Sequence, residues 1–212
     1  MLHMDEDSWT GAANEIVDAS GNGNHGTALG GTAGGASGKY ILGGSFDGTN
    51  DYLTTPLNID QGGTAAVTFE AWVYPTVNSN SHKYVISTDN GGSDWGLSLY
   101  GANWYVVNGS SAANTGQTAT FNAWQHLVVT FEPGIGVKLY RNGALIWSNA
   151  TISYDTGDAN VTIGRQGSYN QYYFAGRIDE VAVYNRALAA DEVAARHNRQ
   201  FAHTQTDLAS GA

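Results

Sequence analysis

The 212-residue sequence contains no cysteine, which excludes a disulfide framework and any thiolate metal site, and leaves the redox compartment undetermined. Basic residues are also scarce: 9 Lys and Arg stand against 19 Asp and Glu, a formal net charge of -10. Proteins that neutralise phosphates need a basic stripe, so this balance excludes nucleic acid as a partner. The same sign argues against docking on an anionic membrane. An acidic surface is compatible with neutral ligands, with cations, or with solubility alone. No apolar run is long enough for a membrane-spanning helix, so no membrane insertion is expected. Met1–Trp9 is acidic and lacks the apolar stretch of a secretory leader. Either the protein is cytosolic or the sequence is a piece of a longer exported chain, and the second reading is preferred.

Charged residues amount to only 13%, whereas glycine reaches 28 residues and aromatics 11%. Helices draw on Ala, Leu, Glu and Lys. A chain rich in Gly, Thr, Asn and Tyr suits short strands joined by tight turns. The hydrophobic share of 42% is enough for one sizeable core, and all-β domains reach this length in one piece.

Along the chain, Asp18–Gly26 reads as a compact loop, and the Gly/Ala/Ser stretch Gly30–Gly38 shows no periodicity. Val67, Phe69, Ala71 and Val73 then alternate with Thr68, Glu70, Trp72 and Tyr74, the period of a strand that Pro75 closes. Tyr84–Ser87, Gly96–Tyr100, Asn103–Val107, Trp124–Phe131, Val161–Gly164 and Phe174–Tyr184 carry further strand signals. Val137–Trp147 reads as a hairpin, because Asn142-Gly143 tolerates the positive φ angles of a type I′ turn. One helix is expected, Ala189–His197, acidic in its first turn and basic in its last, as the helix dipole favours. Many strands and one short C-terminal helix give an all-β sandwich over residues 1–200, with 201–212 as a tail or linker.

The segments FDGTNDYL (Phe46–Leu53), TFEAWVYP (Thr68–Pro75), WQHLVVTF (Trp124–Phe131), KLYRNGAL (Lys138–Leu145) and GRIDEVAVYNRALAADEV (Gly176–Val193) follow DASGNGNHG (Asp18–Gly26) in order. Together they resemble the bacterial laminin-G-like, concanavalin A-like lectin/glucanase domains. The resemblance implies a jelly-roll sandwich of two antiparallel sheets, one of them concave with loops along its rim. It implies an appendage of a larger secreted or cell-surface bacterial protein, binding a polysaccharide, an oligosaccharide or a cell-surface protein. The expectation is a non-catalytic carbohydrate-binding module. An adhesion or protein-interaction module is the alternative, and a glycoside hydrolase or polysaccharide lyase of the same fold is the second alternative.

Catalysis is tested residue by residue, because the fold alone does not decide it. Retaining glucanases of this architecture carry two Glu with an Asp between them on one strand face, and their carboxyls must stand close together. No such pattern is present. Asp179 and Glu180 are sequence neighbours, expected on opposite faces of a strand. Glu70 stands alone, and Gln125-His126 belongs to the family's structural pattern. No catalytic residue is assigned.

Calcium takes six to eight oxygen ligands. The Asp18–Gly26 loop crowds Asp, Asn and Gly together, and related domains often hold a structural calcium where such a loop meets the late strand. The resemblance therefore implies Asp18, Asn22, His25 (through oxygen) and Asp179 as ligands. Asp47 with Asp51, and Asp89 with Asn90 and Asp94, are rival clusters. A glycan site needs flat aromatic platforms and planar polar groups in a concave place. Tyr169, Tyr172 and Tyr173, with Arg165, Asn170 and Gln171, form the first candidate, on a loop after the Val161–Gly164 strand. Asp94-Trp95, with Tyr100, Trp104 and Tyr105, form the second. Trp72 and Trp124 are read as packing residues.

Overall fold

The computed structural model describes residues 1–59, 66–88, 95–109, 111–151, 160–167 and 169–199. The Asp89, Asn90 and Asp94 cluster and the tail beyond Arg199 lie outside the described residues. The strands are β1 (Thr27–Leu29), β2 (Ala33–Ser37), β3 (Leu42–Asp47), β4 (Tyr52–Asn58), β5 (Val67–Pro75), β6 (Ser79–Ser87), β7 (Trp95–Gly101), β8 (Asn103–Asn108), β9 (Ser111–Thr118), β10 (Gln125–Glu132), β11 (Gly136–Arg141), β12 (Ala144–Asn149), β13 (Asn160–Ile163) and β14 (Ala175–Tyr184). One helix, α1 (Ala190–His197), follows them.

The strands form two seven-stranded sheets, ordered β1-β4-β13-β6-β7-β8-β9 and β12-β11-β10-β5-β14-β3-β2. Neighbours pair antiparallel throughout, and the chain passes repeatedly from one sheet to the other, as the expected jelly roll requires. The core lies between the sheets. Phe69, Leu127, Val129 and Phe131 face it from one side, and Leu97, Leu99, Trp104 and Val106 from the other. Phe69 meets Phe131 edge-on at 5.8 Å, and Trp95 stacks on Phe131 at 5.2 Å with 10° between the planes.

The alternation in β5 holds, yet both of its faces are buried. Val67, Phe69, Ala71 and Val73 fill the main core. The other face is covered by α1 and by the turn at Lys39-Tyr40. Val128, Tyr140, Leu188 and Val193 form a satellite core there, and Lys39 lies 4.4 Å above the Trp72 ring. The helix begins where Glu192 accepts the N–H of Ala189 at 2.9 Å. Its Arg196 reaches Glu70 at 3.3 Å, which fastens the basic end of α1 to the sheet.

Asn142 and Gly143 have φ of 52° and 81°, the left-handed pair of the expected hairpin turn. Two strands carried no apolar period. β2 (AGGAS) and β9 (SAANTGQT) are edge strands of mostly small residues, and backbone pairing to β3 and β8 holds them.

A β-bulge corrects the expectation for Asp179 and Glu180. Asp179 stands opposite Trp72, but Ala182 stands opposite Glu70, so β14 contains one extra residue. Glu180 absorbs it in a left-handed backbone with φ of 53°. Its carboxylate therefore turns to the α1 side, reaching His3 at 2.8 Å. Asp179 lies on that same side, where it accepts the N–H groups of Lys39 and Tyr40. The two acids share one face instead of diverging.

Candidate aromatic face

In β6, β7 and β8 the residues turned away from the core include His82, Tyr84, Ser98, Tyr100 and Tyr105, with Tyr84 and Ser98 buried beneath their neighbours. Register fixes this: Ser98 stands opposite Tyr84 on one side and Tyr105 on the other, while Leu97, Leu99, Trp104 and Val106 point inward. The ring of His82 lies 4.9 Å from Tyr100, 5.1 Å from Tyr105, 5.9 Å from Tyr84 and 6.1 Å from Tyr172. Its Nδ1 stands 3.1 Å from Ser98 Oγ. Burial holds the imidazole pKa below its usual value.

The described part of the Arg165–Phe174 segment closes over the same sheet. Gly164 starts it with φ of 86°, and a side chain there would collide with the Phe46 ring. Gly164 donates to Val85 O at 2.9 Å and accepts from Phe174 N–H at 2.7 Å, pinning both ends of the loop. Tyr172 is left-handed with φ of 61°. Its carbonyl accepts the Tyr84 N–H at 3.0 Å, and its ring stacks on Tyr84 at 6.2 Å.

Tyr173 packs on Tyr52 at 6.2 Å, and Tyr169 is exposed. Arg165 is buried, with its guanidinium 3.7 Å from the Tyr52 ring centre and its Nη1 donating to Asn170 Oδ1 at 2.5 Å. Gln171 Nε2 lies 3.5 Å from Gln166 Oε1. The planar polar groups expected to meet a ligand thus brace the loop, and the ring of Tyr172 is the part applied to the sheet.

The second candidate pair is corrected. Trp104 is 0% exposed and Trp95 7%; both sit in the main core and offer no platform. Their strand neighbours Tyr100 and Tyr105 are the residues on the surface side, and His82 and Tyr84 join them without having been singled out.

The predicted calcium ligands are not brought together. Both oxygens of Asp18 are occupied, by the Met1 amine, the Ser20 N–H and hydroxyl, and the Asn24 N–H. Burial alone would raise its pKa, but these donors hold the carboxyl far below the usual range. Asn22 donates to Ser20, and His25 Nδ1 accepts the Asp18 N–H. Asp179 is held by the separate Lys39-Tyr40 turn. The rival Asp47 and Asp51 cap the turn between β3 and β4. Among the described residues no group of three or more His, Asp and Glu is placed to hold a metal. Two buried oxygens nevertheless lack a hydrogen-bond partner, Asp179 Oδ1 and Glu180 Oε2. Burial first, and then the Glu180 charge, push the Asp179 pKa up to about 7.

Glu70 forms the other buried polar centre, accepting from Tyr184 at 2.7 Å, contacting His126 Nε2 at 2.9 Å and pairing with Arg196. His126 is buried under α1, so this cluster supports the helix. A cavity of about 690 Å³ opens at the flank, lined by Asn22, Leu57, Asn58, Val181, Tyr184 and Asn185 among others. Its two rings are already committed, Tyr184 to Glu70 and His3 to Glu180. The aromatic face is therefore the stronger site for a flat ligand.

Comparison with known proteins fits this architecture. Residues 47–194 match the family model described as the concanavalin A-like lectin/glucanases superfamily. Domain 4 of AbnA, a GH43 extracellular arabinanase from Geobacillus stearothermophilus solved in complex with arabinotriose, superposes with a TM-score of 0.67 at 19% identity, over 90% of this chain and 98% of that one. The binding domain of Paraclostridial Mosquitocidal Protein 1 gives 0.69 at 19% identity, over 90% of this chain and 51% of that one. The human adhesion G-protein coupled receptor D1 is 36% identical over 75 residues, 34% of this chain. The chain spans 9% of that receptor's length. With a family model matched over more than half its residues, the chain belongs to the concanavalin A-like lectin/glucanases superfamily.

Proposed function

We propose that this chain is a non-catalytic carbohydrate-binding module of a larger secreted or cell-surface protein, with a glycan lying on the outer face of β6, β7 and β8. The observation that carries this reading is the packing of four tyrosine rings around His82. A sugar presents an apolar face and a rim of hydroxyls. Tyrosine rings pack on the first, while phenol and imidazole groups meet the second.

The arabinanase domain that was solved with arabinotriose shares the fold, which supports a sugar ligand. The non-catalytic reading is supported by the fate of the buried acids. Glu70, Asp179 and Glu180 lie on the opposite sheet and are enclosed, whereas a hydrolytic pair must face the sugar. The test is retention on a panel of neutral and acidic polysaccharides, arabinan included, by the unaltered chain and by Tyr105→Ala. Retention that Tyr105→Ala leaves intact removes the site. Release of reducing ends removes the non-catalytic reading. A protein partner on the same face is the second reading, favoured by the stretch shared with the adhesion receptor.

Calcium belongs to the proposal on one observation, the unpartnered buried oxygens of Asp179 and Glu180. A hard cation would satisfy both, with main-chain oxygens completing its shell. Millimolar calcium should then raise Tm by roughly 5 °C in the unaltered chain and in Asp18→Asn, but not in Asp179→Asn. No shift in the unaltered chain removes the metal.

A further inference from the structure

Strands β7, β8 and β9 contain no Asp, Glu, Lys or Arg, in a chain whose net charge is -10. His82 lies at the centre of the face they help to build. The groups facing it are Tyr84 from its own strand, Ser98 and Tyr100 from β7, Tyr105 from β8, and Tyr172 from the loop. All five are uncharged near neutral pH. The adjacent Lys83 turns its ammonium away, to Gly48 O at 3.3 Å. Among the described residues around it, the imidazole is thus the one group whose charge changes between pH 5 and 8.

We infer that His82 sets the charge preference of this face, admitting an uncharged glycan when neutral and an acidic one when protonated; the inference rests on the glycan-binding reading above. The physical reason is desolvation. A sugar laid across Tyr100, Tyr105 and Tyr172 strips water from the half-buried imidazole. In its neutral form the ring keeps its contact to Ser98 through Nδ1 and offers Nε2 to a sugar hydroxyl. The imidazolium loses its hydration and finds no carboxylate among the described residues around it to replace it. The tyrosine faces attract the cation before and after the sugar arrives, and what that attraction gains on desolvation is smaller than the hydration the imidazolium loses. A uronate brings its own counter-charge and forms a charge-assisted hydrogen bond. Binding of a neutral glycan therefore expels the proton, and binding of an acidic one retains it.

The experiment is retention at pH 7.5 and pH 5 on columns of immobilised arabinan, xylan, galactan and mannan as neutral probes, and of polygalacturonate as the acidic probe. The proteins are the unaltered chain, His82→Gln, and Tyr105→Ala combined with Tyr172→Gly. Whichever neutral probe binds should bind about tenfold more weakly at pH 5, while polygalacturonate binds more tightly there. His82→Gln, shown folded by an unchanged Tm, should bind the neutral probe with no pH dependence. If the tyrosine double variant loses retention but His82→Gln keeps the pH dependence of the unaltered chain, the inference is overturned and the glycan site survives. If polygalacturonate alone is retained, the inference falls and the glycan site survives; if no probe is retained at either pH, both fall.

Discussion

Tyr172 and Tyr84 are joined twice: the Tyr84 N–H donates to the Tyr172 carbonyl at 3.0 Å, and the two rings stack at 6.2 Å with 30° between their planes. Tyr172 makes both contacts from a left-handed backbone, a conformation that a bulky residue keeps only when its surroundings hold it there. The strained residue is thus the one the loop applies to the aromatic face. Glycine at 172 separates the two roles. Losing the ring stack costs about 1 kcal/mol, and relieving the strained φ returns about 1 kcal/mol. Tyr172→Gly should therefore unfold within about 2 °C of the unaltered chain yet lose glycan retention. Tyr172→Ala should lose retention and also melt lower. Thermal unfolding beside affinity electrophoresis checks this, and intact retention in either variant contradicts it.

Arg165 is expected to act through the loop rather than through the ligand. Its guanidinium is fixed between the Tyr52 ring and Asn170, and lysine has neither the plane to stack nor the fork to reach both. Arg165→Lys should lower stability by about 1–2 kcal/mol and weaken retention of neutral and acidic glycans alike. A selective loss of acidic glycans would mean instead that Arg165 meets the ligand.

Trp95 and Trp104 separate packing from binding. Each is buried in the main core, so truncation to alanine should cost about 3–5 kcal/mol, read as a lowered denaturation midpoint. The molecules that remain folded should still bind. Normal stability with lost retention would return these residues to the ligand site.

Much of the fold was legible in the residues. The β5 alternation, the Asn142-Gly143 turn and the charge order of α1 are local signals, and the structure contains each of them. β2 and β9 were not legible, because AGGAS and SAANTGQT have no apolar period and exist as strands only through their neighbours. The aromatic face was half legible. The tyrosine-rich loop announced itself by composition, but Trp104 and Tyr105 are adjacent and one must point inward. The shared parity of Trp104 with Val106, and of Leu97 with Leu99, would have assigned the tryptophan to the core and Tyr105 to the surface. His82 gave no local signal. The bulge at Glu180 was hidden as well, since a non-glycine residue with positive φ leaves no mark in IDEV.

That bulge makes stability depend on pH. Asp179 has its pKa raised to about 7 in the fold, against roughly 3.9 in an unfolded chain. Between those values the native state binds the extra proton, so stability falls as pH rises from 4 to 7. The loss reaches up to about 4 kcal/mol, at 1.36 kcal/mol per pH unit. Asp179→Asn keeps an oxygen for the Lys39 and Tyr40 N–H groups and removes the charge. In chelator it should be more stable than the unaltered chain at pH 7.5 and should lack this slope. Urea unfolding at several pH values decides it, and an unchanged slope in Asp179→Asn places the titration elsewhere.

Glu70 carries the docking of α1. Removing its carboxylate leaves His126, Tyr184 and Arg196 without their common partner, and loss of one side of a buried pair costs about 3–5 kcal/mol. Glu70→Ala should expose α1 to limited proteolysis well below the global melting temperature. Protection equal to that of the unaltered chain would show that Val193 and Leu188 hold the helix alone.

Residue-resolved NMR during titration with a retained oligosaccharide tests the central claim most directly. Resonances of His82, Tyr84, Tyr100, Tyr105 and Tyr172 should move together and saturate at one affinity. Shifts confined to the flank cavity around Asn22, Asn58 and Asn185, with the tyrosine face unmoved, would contradict the account.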